Sequence, residues 1–259
     1  MTETESDYMN FTLDKWTDDD YRNLINFLID NQDMKYRDFS ASLEPNVNQP
    51  YARIGIRIPF MRAIAKEIAK GDAYGFLDIS SNEYYETRMI RGIVAGLIKT
   101  QSFEEFTSLC ELVSTDIDSW SLCDCFCCGL NQVKRYKDEF FDYIENYLLS
   151  GDVWKMRIAL VVMLNYYLED KYIDRVFKRC DSIKSDFYYV NMAQAWLVAT
   201  AFVKCEEQTR EYLINNNLSE FTFNKAIQKC IESRKIDAET KLYLKSRQWP
   251  ATVRADSTI

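Results

Sequence analysis

The sequence predicts an all-α protein in which helical hairpins stack into an α-solenoid. Apolar residues recur at three- and four-residue steps along most of the chain, which is the period of an amphipathic helix. Only 7 glycines and 4 prolines occur in 259 residues, too few for a β-sandwich full of turns. The longer helical stretches return roughly every 32 to 39 residues, the period of stacked hairpins. Such a stack curves, so equivalent helices are expected to line one concave groove.

Twelve helices follow from the apolar periodicity, and their lengths and spacing are typical of HEAT-like repeats. They are expected over residues 18–30, 59–70, 84–99, 103–113, 120–130, 138–149, 154–167, 173–179, 187–203, 209–215, 221–233 and 238–245. Pro59 lies near the start of the second helix, where its missing N–H costs nothing. Residues 44–57 carry Pro45, Pro50 and Gly55, so we expect an ordered loop there.

The composition is that of a folded chain with one continuous core. Hydrophobic residues make up 47% of the sequence and aromatic residues 14%. We expect a single HEAT-like domain over residues 1–259, with a flexible acidic segment at 1–17 and a flexible tail at 247–259. The sequence has no apolar run long enough to span a membrane and no basic-then-apolar leader at the N-terminus. A cytoplasmic protein without membrane contact is therefore expected.

The absence of histidine restricts the chemistry more than any other single fact. It excludes Ser-His and Cys-His nucleophile pairs, histidine acid-base catalysis and most catalytic zinc sites. Any reaction must use carboxylates, lysines, tyrosines or thiols.

The net charge of −8 argues at first against binding to nucleic acid. Residues 1–35, however, hold nine acidic and three basic residues, which accounts for six of the eight excess negative charges. The remaining chain is nearly balanced, so a basic face is compatible with the acidic total.

A tryptophan and an aspartate lie one helical turn apart in the stretch SWSLCD, and two further residues follow at repeat spacing. Trp120 and Asp124 share a helix face, Arg157 comes one repeat later, and Trp196 one repeat after that. These side chains can converge on one patch of the groove, where indoles and a carboxylate attract cations and a guanidinium binds phosphate. The alternative is that both tryptophans are core and Arg157 is the polar edge of its helix. An aspartate within an apolar helix is seldom buried without a partner or a task.

Four cysteines surround Asp124, and they include one Cys-x-x-Cys spacing from Cys125 to Cys128. A zinc site needs four ligands, yet the remaining cysteines are scattered singly and no histidine exists. A thioredoxin-like site needs a βαβ context that a helical chain lacks. We expect small, buried, reduced thiols and no metal. Oxidation beside Asp124 stays open as an alternative.

At these residues the sequence resembles the AlkD-type DNA alkylation repair proteins, which are HEAT-like-repeat alkylpurine DNA glycosylases. The resemblance is carried by SWSLCD, WKMRIA, FYYVNMAQAW and FNKAIQKCIES, and it extends over residues 55–233. It implies that Trp120, Asp124, Arg157 and Trp196 form the active site. Asp124 would stabilise the sugar cation and position water, the two tryptophans would contact the sugar, and Arg157 would bind a nearby phosphate.

The resemblance also implies the reaction and its partners. The expected activity is hydrolysis of the N-glycosidic bond of cationic N7- or N3-alkylated purines, such as 7-methylguanine and 3-methyladenine, in duplex DNA. No metal or nucleotide cofactor is implied, and we expect a monomer. Lys155, Lys225 and Arg234 are candidate contacts to DNA phosphates, with plain solvated surface as the alternative for each.

Two other functions remain open at this point. The chain could be a noncatalytic HEAT-like scaffold that binds DNA or a protein through its concave face. It could also recognise a helical peptide, as an armadillo-like groove does.

Overall fold

The computed structural model describes residues 10–44 and 52–248. The chain divides into two compact units, residues 1–138 and residues 139–259, and each is described by itself. The expected single domain over residues 1–259 stays a prediction.

The first unit consists of helices joined by short connections. Its α-helices are α1 (Asp18–Asp30), α2 (Met34–Ser42), α3 (Ile58–Ile68), α4 (Ala73–Ile79), α5 (Tyr85–Leu97), α6 (Phe103–Ser114) and α7 (Trp120–Gly129). A short 3-10 helix over Asn131–Lys134 follows α7. Helix α5 is central, because it packs against both α3 and α7 and nearly all its residues are buried.

The second unit repeats this arrangement. Its α-helices are α8 (Lys137–Leu149, whose first two residues fall in the first unit), α9 (Val153–Tyr166), α10 (Ile173–Ser182), α11 (Tyr188–Lys204), α12 (Glu206–Ile214), α13 (Glu220–Glu232) and α14 (Ala238–Arg247). Helix α11 packs against α9 on one side and α13 on the other.

The predicted all-α class is confirmed. Every regular element among the described residues is a helix, and the β contact reported there is one isolated bridge between Ala52 and Tyr84. In each unit, alternate helices along the chain pack side by side, as successive hairpins of a helical repeat do. The concave groove stays a prediction.

Two helices lie where none was expected. Helix α2 has no buried residue, so its nine residues carry no apolar stripe that periodicity could detect. Its start is defined by Asp33, whose side chain accepts a hydrogen bond from the backbone N–H of Tyr36. Helix α4 has only seven residues and contains Gly75, which lowers its intrinsic helix propensity.

Residues 10–17, which precede α1, pack against other residues of the first unit. Phe11 and Trp16 are both buried, and the Trp16 ring lies 5.0 Å from that of Phe76. The backbone N–H of Asp72 donates to the Leu13 carbonyl at 2.7 Å. Residues 10–17 of the segment expected to be flexible are therefore in contact with the fold. Residues 1–9 and 249–259, and Pro45 and Pro50 of the expected loop, lie outside the described residues.

Candidate active site

Helix α7 presents Trp120 and Asp124 on one face. Ser119 caps the helix, since its hydroxyl accepts a hydrogen bond from the backbone N–H of Leu122 at 3.3 Å. The opposite face, with Leu122 and Phe126, is buried in the core. Trp120 and Asp124 are both half-buried, so the carboxylate and the indole stand one turn apart at the edge of the protein surface.

Two buried arginines of α5 hold the loop that leads into α7. The guanidinium of Arg88 donates to the Asp118 carboxylate at 3.0 Å and to the carbonyl of Asp116. Arg91 lies 3.5 Å from the Asp116 carboxylate and donates to the carbonyl of Ser80 at 2.8 Å. The position at which α7 begins is thus set from the neighbouring helix.

A polar cluster fixes the other side of the first turn of α7. The Ser121 hydroxyl donates to the Glu44 carboxylate at 2.5 Å and accepts from the Tyr85 hydroxyl at 2.7 Å. Arg53 pairs with Glu44, and its guanidinium lies 3.9 Å from the centre of the Tyr85 ring. Burial raises the pKa of Tyr85, so this phenol stays protonated and acts as a donor.

The cysteines beside Asp124 are thiols, and three of the four are buried as expected. Burial raises the pKa of Cys125 and of Cys127, and the nearby Asp124 carboxylate adds to both increases. Cys125 accepts a hydrogen bond from Arg62 at 3.4 Å. Cys128 differs from the prediction because it is exposed. No group of three or more potential metal ligands occurs in the part of the chain that the structure describes.

Arg157 joins two helices in the second unit. It is buried, and its guanidinium donates to the carbonyl of Tyr189 at 2.7 Å, which links α9 to the first turn of α11. Trp154, one turn before Arg157, stacks on the Tyr189 ring at 5.7 Å between centroids. The Arg157 guanidinium therefore holds two helices of the second unit together.

Trp196 lies midway along α11 and is half-buried. It borders an open cavity of about 370 Å³. The cavity is lined by Trp196, Ala199, Thr200, Val203, Lys229, Glu232, Ser233 and Lys235. It lies between α11 and the C-terminal end of α13.

The predicted phosphate contacts differ in what surrounds them. The Lys155 ammonium lies 5.0 Å from the Tyr147 ring, and that of Lys225 donates to the Gln228 side chain at 3.1 Å. Arg234 is exposed. Lys229 and Lys235, which were not predicted from the sequence, line the cavity beside Trp196. Lys229 follows Lys225 by one helical turn and so shares its face.

The structure places the four predicted site residues on three helices in two units. Trp120 and Asp124 share α7 in the first unit, while Arg157 and Trp196 lie on the packed helices α9 and α11 of the second. Convergence of the two pairs on one patch stays a prediction.

Comparison with known proteins identifies the family. None of the curated proteins compared with the chain matches it. None of the described helices is both long and apolar enough to cross a membrane. The sequence pattern of the family described as DNA alkylation repair enzyme matches residues 32–230, which include α7, α9 and α11. The chain belongs to the DNA alkylation repair enzyme family, and its role lies in DNA repair.

Proposed function

We propose that this protein is a monofunctional DNA glycosylase. Its substrates would be cationic N7- or N3-alkylated purines in duplex DNA, such as 7-methylguanine and 3-methyladenine. The observation that carries the proposal is the half-buried Asp124 carboxylate one turn from the half-buried Trp120 indole, on a helix inside the family match. A carboxylate and an aromatic face are the groups that attract a cationic sugar.

The reaction needs little beyond stabilisation of that cation. Alkylation leaves the purine positively charged, so when the bond to the sugar breaks, the electron pair goes to the base, which departs neutral. The sugar becomes oxocarbenium-like, and the oxygen of a water molecule bonds to its anomeric carbon while that water passes a proton to the surrounding solvent. Asp124 would stabilise the developing positive charge and orient the water. Partial burial strengthens the interaction, because water screens the carboxylate less than in bulk solvent.

The remaining residues would hold the DNA. Trp120 and Trp196 would contact the sugar of the damaged nucleotide. Arg157, which also donates to the Tyr189 carbonyl, would bind a phosphate. Lys155, Lys225 and Arg234 would contribute further phosphate contacts.

The proposal extends to the working state of the protein. It would act as a monomer in the cytoplasm. It would need neither a metal nor a nucleotide cofactor, because departure of a cationic base requires neither a Lewis acid nor a redox partner.

The test is release of 7-methylguanine from methylated duplex DNA at low salt by wild type and by Asp124→Asn. Asparagine keeps the shape of the side chain and removes its charge, so we expect release to fall roughly 100-fold or more. Asp78→Asn, which removes an equivalent charge from an exposed position on α4, is the matched control and should release base like wild type. Both variants are checked for an unchanged melting temperature.

Equal release by wild type and Asp124→Asn would contradict the assigned role of Asp124. No release by the folded wild-type protein would contradict the glycosylase itself. The noncatalytic DNA-binding scaffold would then be the better account.

A further inference from the structure

Trp120 and Asp124 stand on one face of α7, and the face beside it carries Ser121 and Cys125. Successive residues of an α-helix point about 100° apart, so these two faces adjoin along the helix. A small rotation of α7 about its own axis would swing the indole and the carboxylate together. Whatever holds the adjoining face therefore decides where the two site residues point.

Ser121 is held by a closed group of polar side chains. Its hydroxyl donates to the Glu44 carboxylate at 2.5 Å and accepts from the Tyr85 hydroxyl at 2.7 Å. A carboxylate can only accept, so both hydroxyl protons have one defined direction. Arg53 completes the group, because its guanidinium pairs with Glu44 and lies 3.9 Å from the centre of the Tyr85 ring.

The ion pair in this group is buried, which is an expensive way to gain stability. The side chains of Glu44 and Arg53 are only 2% and 8% exposed. Removing two charges from water offsets most of their attraction, and apolar residues of similar size often stabilise a fold as well or better. Hydrogen bonds, however, weaken steeply when their distance or angle changes. The group therefore supplies direction more than stability.

A second polar contact meets the same face of α7 one turn later. The guanidinium of Arg62, on α3, donates to the sulfur of Cys125 at 3.4 Å. Asp124 lies between the two contact points in the sequence. The face beside the site is thus held from outside the helix at two successive turns.

We propose that the network of Glu44, Arg53, Tyr85 and Ser121 orients the first turn of α7 so that the indole and the carboxylate of the site face the substrate together. The inference rests on the proposed function for the reaction, but the orientation itself is a property of the free protein. Ser121 is a positioning residue, since it acts through its neighbours in α7. A displacement of about 1 Å at a reacting group can lower a rate roughly 100-fold.

The orientation is tested on the free protein by ¹⁹F NMR after 5-fluorotryptophan has been incorporated at its five tryptophans. The Trp120 signal is identified by its loss in Trp120→Phe. We expect Ser121→Ala to shift or broaden this signal, and Ser121→Thr, which keeps the hydroxyl, to leave it near its wild-type position. Thr209→Ala is the matched control, because it removes a buried hydroxyl that donates to the Cys205 carbonyl in the second unit. It should leave the Trp120 signal unchanged.

Single-turnover release of 7-methylguanine measures the consequence for the reaction. Ser121→Ala should lower the rate at saturating protein about tenfold, because the carboxylate is displaced. The protein concentration that gives half the maximal rate should change by less than about twofold, since the proposed phosphate contacts are untouched. Ser121→Thr and Thr209→Ala should both release base like wild type.

A fully apolar replacement separates orientation from stability. It combines Glu44→Met, Arg53→Met, Tyr85→Phe and Ser121→Ala, so no member of the network is left with a buried polar group. We expect this variant to fold with a melting temperature close to that of wild type. It should nevertheless show the displaced Trp120 signal and the slower release. It also serves as the test should Ser121→Ala alone fail to fold.

An unchanged Trp120 signal in folded Ser121→Ala would overturn the proposal, and so would release at the wild-type rate by the folded apolar variant. No release by wild type overturns the glycosylase alone, because the fluorine signal still reports the orientation. Release by wild type together with an unchanged Trp120 signal in Ser121→Ala overturns this inference alone.

Discussion

Glu86 organises a whole stretch of backbone from a single buried position. One of its carboxylate oxygens accepts from the N–H of Ile54 at 2.9 Å, and the other accepts from Gly55 at 2.8 Å and Ile56 at 3.4 Å. Such a buried acid is tolerable because its charge is met by backbone donors. It ties residues 54–56, which form no regular structure, to α5.

We predict that Glu86→Gln destabilises the protein by about 1.5–3 kcal/mol. The amide keeps one acceptor but turns the other oxygen into an NH2 group, which then faces a backbone N–H. Urea unfolding followed by circular dichroism measures the loss. Glu83→Gln, at an exposed position near the start of the same helix, should stay within about 0.5 kcal/mol of wild type. A similar effect of both substitutions would contradict the role assigned to Glu86.

For the candidate site, the sequence distinguishes some residues and not others. Asp124 could be singled out because a charged residue in an apolar helix is unusual, and the structure places it half-buried beside Trp120. Lys225 was predicted as a phosphate contact and Lys229 was not, although both lie on one face of α13 and differ only in what surrounds them. The contact of Lys225 with Gln228 is local to α13, whereas the cavity beside Lys229 arises from packing that no local pattern encodes.

At the scale of elements, a glycine sets the distance between α5 and α7. A Cβ added to Gly96 would lie 2.8 Å from the backbone oxygen of Gly129, closer than packed atoms can approach. Gly92 lies one turn earlier on α5, and a Cβ there would meet the Phe126 and Val113 side chains at 3.7 Å, an ordinary contact. The two positions lie in the same helix and differ in how much room each leaves for a side chain.

We predict opposite effects for the same substitution at these two positions. Gly96→Ala should lower the free energy of unfolding by about 1–3 kcal/mol, because α7 has to move away. Gly92→Ala should raise it by up to about 1 kcal/mol, since alanine has the higher helix propensity. Thermal unfolding of both variants tests this, and destabilisation of equal size at both positions would show that the close approach at Gly96 has no special cost.

An ion-pair cluster links α8 to α10. Glu145 accepts from Arg175 at 2.8 Å and from Arg179 at 2.6 Å. Burial alone would raise the pKa of Glu145, but the hydrogen bonds from Arg179 and Arg175 outweigh it and lower the pKa below its ordinary value of 4.5. A carboxyl with a lowered folded-state pKa stabilises the fold above its ordinary pKa and loses that contribution as the pH falls through the folded-state value.

We therefore expect Glu145→Gln to be less stable than wild type by about 1 kcal/mol at pH 7, because the arginines are partly solvated. The difference should shrink as the pH falls below about 4.5. Urea unfolding across a pH series measures it, with Glu139→Gln on the exposed side of α8 as the control. A difference that stays constant down to acid pH would refute the link.

Helix prediction worked where a helix has a buried stripe. Helix α1 has its predicted bounds, Asp18–Asp30, because Thr17 and Asp20 form a capping box and Leu24 and Leu28 mark the core-facing side. Helix α2 has a cap but no buried face, and it was missed. Helix α2 is stabilised by its cap and by neighbouring residues, and its sequence has no apolar periodicity from which the helix could be predicted.

At the scale of the whole molecule, charge is distributed unevenly along the chain. Six of the eight excess negative charges lie in residues 1–35. The Debye length is roughly 30 Å at 0.01 M salt, so at low salt this charge acts on DNA that approaches within about that distance. At physiological salt its reach is much shorter.

We predict that neutralising Glu3, Glu5 and Asp7 by Gln, Gln and Asn raises affinity for unmodified duplex DNA about threefold at low salt. The gain should disappear as salt approaches roughly 1 M, where the Debye length is about 3 Å. Anisotropy titrations at several salt concentrations measure both the gain in affinity at low salt and its loss at high salt.

A second triple variant tests whether the effect on DNA affinity depends on where in the chain the negative charge is removed. Glu207→Gln, Glu211→Gln and Glu239→Gln remove equal charge from exposed positions in the second unit. Equal gains from both triples would indicate that net charge alone acts, and a larger gain from the first would indicate a local effect. No gain from either at low salt would contradict the prediction.

The helical class, most helix positions and the pairing of Trp120 with Asp124 follow from the order of residues, because helical periodicity and capping are local properties of neighbouring residues. The division into two units, the arginines that hold the start of α7 and the cavity beside Trp196 depend on residues far apart in the chain. Such contacts form only when helices pack, and packing is decided by shape and volume. The order of polar and apolar residues along one helix does not specify either.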